Sequence, residues 1–225
     1  MRLSRYVGAM NFSVMLTQEL SDKHLLKHRW YQAWSCGQLS LDALRIYARQ
    51  YYHHVGAFPR YVSATHSHCL NIEDRQALLE NLIDEERGES NHPELWLRFA
   101  EGLGETRENV MNEKLSPETA NLVSTFDGLC RSSYEEGLGA LFAYEHQVPE
   151  VAAAKINGLE KFYGINSYKA VEFFRVHMTA DVYHTQAMEK LLDKLSRVQQ
   201  EKAGESAKTA SKALWSFLDG MQYLN

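Results

Sequence analysis

Cysteine is scarce in this 225-residue chain: Cys36, Cys69 and Cys130 are the three present, odd in number, far apart and without a Cys-x-x-Cys pair. That excludes a disulfide framework and argues against a thiolate zinc site, so all three are read as free thiols. Proline is nearly as rare, with four residues at 59, 93, 117 and 149, and no Gly/Ser/Pro-rich linker, repeat or low-complexity block divides the chain. No apolar run approaches the roughly 18 residues a membrane-spanning helix needs. Polar residues also interrupt MRLSRYVGAMNFSVMLTQEL before a signal-peptide core can form. A cytoplasmic protein is therefore expected. A basic excess is missing too: the net charge of -5 argues against nucleic acid or an anionic membrane surface as a partner.

What the chain does have is helical periodicity, ten histidines and enough apolar residues, 44%, to build one core across residues 1–225. Strand-like alternation is absent, and an all-α fold follows. Helices are expected at about 13–34, 40–68, 72–90, 93–103, 116–147, 149–163 and 167–198, with a weaker one near 206–222. Ser40 is a ready N-cap for the second. Its aromatic stripe, Tyr47, Tyr51, His54, Phe58, Tyr61 and His68, reads as core packing or a pocket wall. The polar, small-residue stretch 199–212 reads as a mobile connection.

The stretch VEFFRVHMTADVYHTQAM places His177, Asp181 and His184 four and seven residues apart. On one helix those side chains return to within roughly 60° of each other. Phe173, Phe174, Met188 and Leu191 make the same face apolar, so two imidazoles and a carboxylate point at the core and need partners. A divalent metal satisfies all three; so does a hydrogen-bonded His/Asp cluster. Glu85 closes an apolar face with Leu78 and Leu82, and His92 follows seven residues on, just before Pro93. Because a residue before proline avoids the α region and Gly88 weakens the preceding turn, His92 is expected at a frayed helix end. Glu86 competes with Glu85 for the inward position, and a solvated acidic face remains the plain alternative. Glu145 ends the stripe Tyr134, Leu138, Leu141, and Pro149 four residues later cannot donate to its carbonyl, so the backbone should break at the carboxylate. Together, Glu85, His92, Glu145, His177, Asp181 and His184 supply enough ligands for two metals. All-N/O ligation suits iron or manganese better than structural zinc.

These motifs, E-x6-H, YEHQVP around Glu145 and H-x3-D-x2-H, together with ARQYYHHVGAFPRYVSA in the second helix, resemble the heme-oxygenase-like dimetal oxidases. Within them the sequence is most similar to the group of para-aminobenzoate synthases that includes the chlamydial protein associating with death domains. The likeness runs over roughly residues 10–195. It implies an all-α, heme-oxygenase-like bundle of seven helices and a dinuclear iron or mixed manganese/iron centre that requires dioxygen and an external reductant. It also implies a self-sacrificing reaction in which Tyr31 of HRWYQAW supplies the aromatic ring of para-aminobenzoate, for folate, and Lys155 of AAAKINGLEKFYG supplies the nitrogen. Tyr144, beside Glu145, is then a tyrosine that can relay radical chemistry. Residue 173 is phenylalanine where some relatives are expected to carry tyrosine. A homodimer is one assembly open to it; the number of chains that associate and the electron donor are not legible. Other readings on the same fold stay open: a diiron oxidase of a diffusible substrate, a cofactorless quinone-cyclising oxidase, a thiaminase-like hydrolase, or a non-enzymatic module that binds death domains.

Overall fold

In the computed structural model, residues 10–221 are described; the first nine residues of the stretch weighed as a signal peptide, and residue 222 of the last expected helix, lie outside them. The described residues form α-helices joined by turns, with no strand among them. No helix among them is long and apolar enough to cross a membrane. In chain order the helices are α1 Phe12–Leu20, α2 Arg29–Ser35, α3 Leu41–His68, α4 Ile72–Glu86, α5 His92–Gly102, α6 Arg107–Met111, α7 Pro117–Ser132, α8 Tyr134–Glu145, α9 Val148–Phe162, α10 Tyr168–Asp193 and α11 Arg197–Met221.

The first expected helix is broken in two. Two 3₁₀ turns intervene, Ser21–Lys23 and Leu25–Lys27, and the chain is tied there by Gln147, whose Oε1 accepts from the Leu25 N–H at 2.8 Å. His28 then caps α2, its Nδ1 accepting from the Trp30 N–H at 3.0 Å. As a result α2 packs on α9, where the Trp34 indole donates to the Lys155 carbonyl at 3.2 Å and Tyr31 is buried. The Ser40 cap of α3 is as expected, accepting from Ala43 N–H at 3.0 Å. The expected helix 116–147 divides at Ser133, whose extended backbone stops α7 and whose Oγ accepts the Glu136 N–H at 3.3 Å and donates to the Glu136 carboxylate at 2.9 Å. Ser-x-x-Glu is a capping box, so this break was written in the sequence.

Two expectations need correction. Residues 199–212 are not a mobile connection: they lie within α11, and Ala203, Gly204, Ser206, Ala207, Ala210 and Ser211 are buried. Small side chains there permit close approach rather than looseness. A Cβ on Gly139 of α8 would stand 2.1 Å from the Ala203 carbonyl oxygen, and one on Gly137 would stand 2.3 Å from Thr65 Oγ1 of α3. Helix α8 is thus wedged between α3 and α11, its last nine residues from Gly137 to Glu145 all but inaccessible. Nor is His92 at a frayed end. It opens α5, with Asn91 as N-cap accepting from Glu94 N–H at 3.0 Å, and Pro93 sits in the first turn, where no N–H is needed. The reversal before it uses Gly88 at φ +80, and Arg98 donates to the Glu89 carbonyl at 2.8 Å and the Ser90 hydroxyl at 3.2 Å.

Candidate metal centre

Four helices converge at one level of the bundle. The last turn of α4 brings Glu85, the first residue of α5 is His92, the last residue of α8 is Glu145, and the middle of α10 carries His177, Asp181 and His184. The break after Glu145 falls where Pro149 required it, with α9 starting at Val148. All six side chains are buried, between 2 and 7% exposed, so each must find a partner inside the protein. Glu85, not Glu86, is the inward carboxylate: Glu86 is exposed.

Glu85, His92 and His177 form the tighter half. One ligand atom from each lies within 4.8 Å of the others, and among the described residues no other trio of His, Cys, Asp or Glu meets that spacing. The His92 and His177 rings are 4.2 Å apart between centroids. His177 Nδ1 is 2.6 Å from the Phe173 carbonyl, which only accepts, so Nδ1 carries the hydrogen and the Nε2 lone pair is left for another partner. His92 Nδ1 approaches Glu85 Oε2 at 2.9 Å yet is misaligned for a hydrogen bond. Two electron-pair donors side by side in a dry interior are what a cation would reconcile.

The second half is looser. Glu145 Oε1 accepts from Asn81 Nδ2 at 2.9 Å, while its Oε2 and the Oδ2 of Asp181 have no partner. His184 Nδ1 lies 3.3 Å from Asp181 Oδ1, and its Nε2 lies 3.0 Å from Asp84 Oδ2 on α4. The structure therefore brings together all six residues the sequence singled out, but only three within a common small radius.

Electrostatics say the same. Burial raises the Glu145 carboxyl well above its ordinary range, reinforced by the charges of Asp181 and Glu85 and opposed by His184. Burial raises Asp181 too, with the His184 hydrogen bond opposing it. Burial pulls His184 down, but Asp181, Glu145 and Asp84 more than offset this and carry it up to about 9. His177 is pushed well down by burial and by its neighbour His92. Three carboxylates crowded into a dry space with orphaned oxygens fit a site for positive charge. These N/O donors suit iron or manganese, and the Glu85, His92 and His177 trio fits a bound cation.

Next to this cluster lie the other three residues marked in the sequence. Lys155 is 4% exposed on α9, and its Nζ donates to the Tyr47 hydroxyl at 2.8 Å. That hydroxyl is in turn 3.0 Å from the Tyr31 hydroxyl. Nζ sits 5.5 Å from the Tyr31 ring centre and within a similar distance of the Tyr47, Tyr51, Trp96 and Phe174 rings. Burial lowers the Lys155 pKa from 10.5 to about 7, so a large fraction of the amine is neutral near pH 7. Burial raises the Tyr31 and Tyr144 phenols, which stay protonated. Tyr31, Tyr51, Tyr144, Lys155, Phe173 and His177 line one cavity of about 10 Å³, scarcely room for a single water. Phe173 lies against His177, ring centres 4.1 Å apart, where it shields the ligand but cannot itself be a redox tyrosine.

Sequence reasoning missed Asn81, Asp84 and the bridging part played by Tyr47. Asn81 had a signal, being one helical turn before Glu85 on the same face. Tyr47 was marked only as one rung of an aromatic stripe.

An all-α bundle with a buried cluster of carboxylates and imidazoles is an arrangement in which helical proteins can hold metal ions. Residues 45–217 match the iron-containing redox enzymes, and the chain belongs to that family. The chain is 44% identical over 222 residues to a 4-aminobenzoate synthase of Nitrosomonas europaea, covering 93% of this chain and 90% of that one. It is 38% identical over 211 residues to a 4-aminobenzoate synthase of Chlamydia trachomatis, covering 93% and 91%. Among solved structures, a domain of unknown function with a heme oxygenase-like fold from Shewanella denitrificans superimposes with a TM-score of 0.80 at 15% identity, over 93% of this chain and 91% of that chain. The heme-oxygenase-like, all-α fold expected from the sequence is the fold observed.

Proposed function

We propose that this protein makes 4-aminobenzoate at a dinuclear iron or manganese/iron centre, taking the ring from its own Tyr31 and the nitrogen from its own Lys155. Six residues would hold the metals: Glu85, His92 and His177 at one position, and Glu145, Asp181 and His184 at the other. Such a pair of ions supplies electrons to dioxygen and the oxidising power to attack a phenol, with an external reductant closing the cycle.

The observation that carries the reading is the cavity. Tyr31, Lys155 and the ligand His177 line it together, and it has no space for a separate aromatic substrate. The atoms to be converted are already inside. A tyrosine side chain beyond Cα has the same seven carbons as 4-aminobenzoate, with its hydroxyl para to the carbon that must become the carboxyl group. The conversion needs the Cα–Cβ bond cut, Cβ oxidised to a carboxyl group, and the hydroxyl, leaving as water, replaced by the Lys155 nitrogen, whose Cε–Nζ bond must break in turn with Cε oxidised; dioxygen is the oxidant for both carbons.

Each residue has a task in that conversion. Lys155, largely desolvated, presents an amine rather than an ammonium, which is the form that can form a bond to carbon. Tyr47 holds both the amine and the Tyr31 hydroxyl, fixing their separation and offering a path for a proton between them. Tyr144 lines the same cavity as Tyr31 and His177 and precedes Glu145 in α8, which suits it to relay an electron or a proton. Asn81 orients Glu145, and the Phe173 carbonyl fixes the His177 tautomer. The two relatives named 4-aminobenzoate synthase support the product.

The test is stoichiometry. Protein loaded with iron, or with manganese and iron, and given dioxygen and a chemical reductant should form no more than one equivalent of 4-aminobenzoate per chain. Lys155→Met should keep the fold and form none, because it leaves no side-chain nitrogen to transfer. Many turnovers per chain, or undiminished product from Lys155→Met, would refute the reading.

A further inference from the structure

We propose that Asp84 is the positioning carboxylate of the second metal position, holding His184 by Nε2 so that Nδ1 is the nitrogen turned to the metal. The inference rests on the dinuclear reading above and concerns a residue outside the six ligands.

Asp84 is the residue before Glu85, so the same turn of α4 that delivers a ligand also delivers this second carboxylate to the neighbouring side. Its side chain is 53% exposed, whereas the six cluster residues are buried; it stands at the rim rather than in the cluster. Asp84 Oδ2 is 3.0 Å from His184 Nε2. A carboxylate oxygen accepts, so Nε2 carries a hydrogen; Nδ1 faces a carboxylate oxygen as well and carries one in the metal-free ring, the one a metal would displace while Asp84 keeps that on Nε2. The two ring nitrogens of an imidazole point away from different edges, and the other, Nδ1, faces Asp181 Oδ1 at 3.3 Å. Asp181 Oδ2 and Glu145 Oε2 are the two orphaned carboxylate oxygens of the site, and His184 Nδ1 faces the first of these carboxylates. Asp84 cannot reach that side, because the ring stands between.

His177 shows the complementary arrangement. Its Nδ1 is tied to the Phe173 carbonyl at 2.6 Å, so its free nitrogen is Nε2. The two histidines of α10 therefore offer opposite nitrogens, each chosen by what holds the other. A backbone carbonyl makes the first choice and cannot be mutated away; a surface carboxylate makes the second and can. Partners of this kind orient the ring and raise its basicity, and losing one typically weakens metal binding by about 10- to 100-fold.

Metal-free full-length protein, wild type, Asp84→Ala and Asp84→Asn, should be titrated anaerobically with iron(II), with bound metal counted after desalting. Wild type should take two equivalents. Asp84→Ala should keep the first and bind the second about 10- to 100-fold more weakly, with an unchanged melting temperature, since the side chain is half exposed. Asp84→Asn should recover most of that loss, because the amide oxygen still accepts from Nε2–H. A second equivalent bound by Asp84→Ala as tightly as by wild type would overturn the role. Asp84→Asn as weak as Asp84→Ala would overturn it too, making the charge rather than the hydrogen bond the contribution. Wild type binding one equivalent would instead overturn the dinuclear reading itself.

Discussion

Replacing Lys155 with methionine should stabilise the metal-free protein, and by an amount that depends on pH. Methionine keeps the length of the side chain and removes a charge that the surroundings do not neutralise: Nζ is ringed by aromatic side chains, and its one hydrogen bond is to Tyr47. In the unfolded chain the amine titrates near 10.5, in the fold at about 7. Between those values the unfolded chain binds one more proton than the folded one, so wild-type stability from this group rises with pH from about 7 to 10.5 and is lowest below 7. At about 1.4 kcal/mol per pH unit the interval corresponds to a cost on the order of 5 kcal/mol, nearly all of it in force at pH 7. The lost hydrogen bond to Tyr47 returns about 1 kcal/mol to the wild type. Lys155→Met should thus be more stable at pH 7 by roughly 3 kcal/mol, with the advantage shrinking by about 1 kcal/mol per unit between pH 7.5 and 9.5. Urea unfolding of both proteins at pH 7, 8 and 9, followed by circular dichroism, measures this. A methionine variant that is less stable at every pH, or a difference that does not change with pH, would refute the claim that Lys155 is held as a largely neutral amine.

Two further outcomes follow from the packing and the cluster. Asp181→Ala should lower the metal content of loaded protein from about two equivalents to about one while Glu85, His92 and His177 keep theirs; metal analysis checks it, and full retention would reduce Asp181 to a hydrogen-bonding partner of the histidines. Gly139→Ala should destabilise the protein by about 3 kcal/mol or more, because the new methyl would meet the Ala203 carbonyl oxygen at 2.1 Å between two wedged helices; an unchanged urea midpoint would contradict that close contact.

The parts legible in the sequence were those set by spacing within one helix. His177, Asp181 and His184 share a face because four and seven residues are whole turns of α10, and the stop after Glu145 follows from the missing N–H of Pro149. The capping box at Ser133 was equally local and was overlooked, which merged α7 and α8. Small residues misled: Ala203, Gly204 and Ala207 carry no strong hydrophobic pattern, yet lack of bulk is what lets α11 lie against α8. Proline was ambiguous at 93, where it ends one helix or begins the next, and the Asn91 cap decides for the beginning. What could not be read was contact between distant segments. Tyr47 meets Lys155 across 108 residues and Asp84 meets His184 across 100, and no local pattern announces either pair. The choice of Glu85 over Glu86 likewise needed the packing of α4.

That Tyr31 is itself the source of the product ring is tested most directly with ring-labelled tyrosine. Protein expressed with the label, then loaded with metal and exposed to dioxygen and reductant, should release labelled 4-aminobenzoate, and the intact chain should lose the mass of a tyrosine side chain within the peptide containing residue 31. Unlabelled protein given free labelled tyrosine should release unlabelled product. Labelled product in that second arrangement, or full activity in Tyr31→Phe, would contradict the assignment and point to an oxidase acting on a molecule from solution.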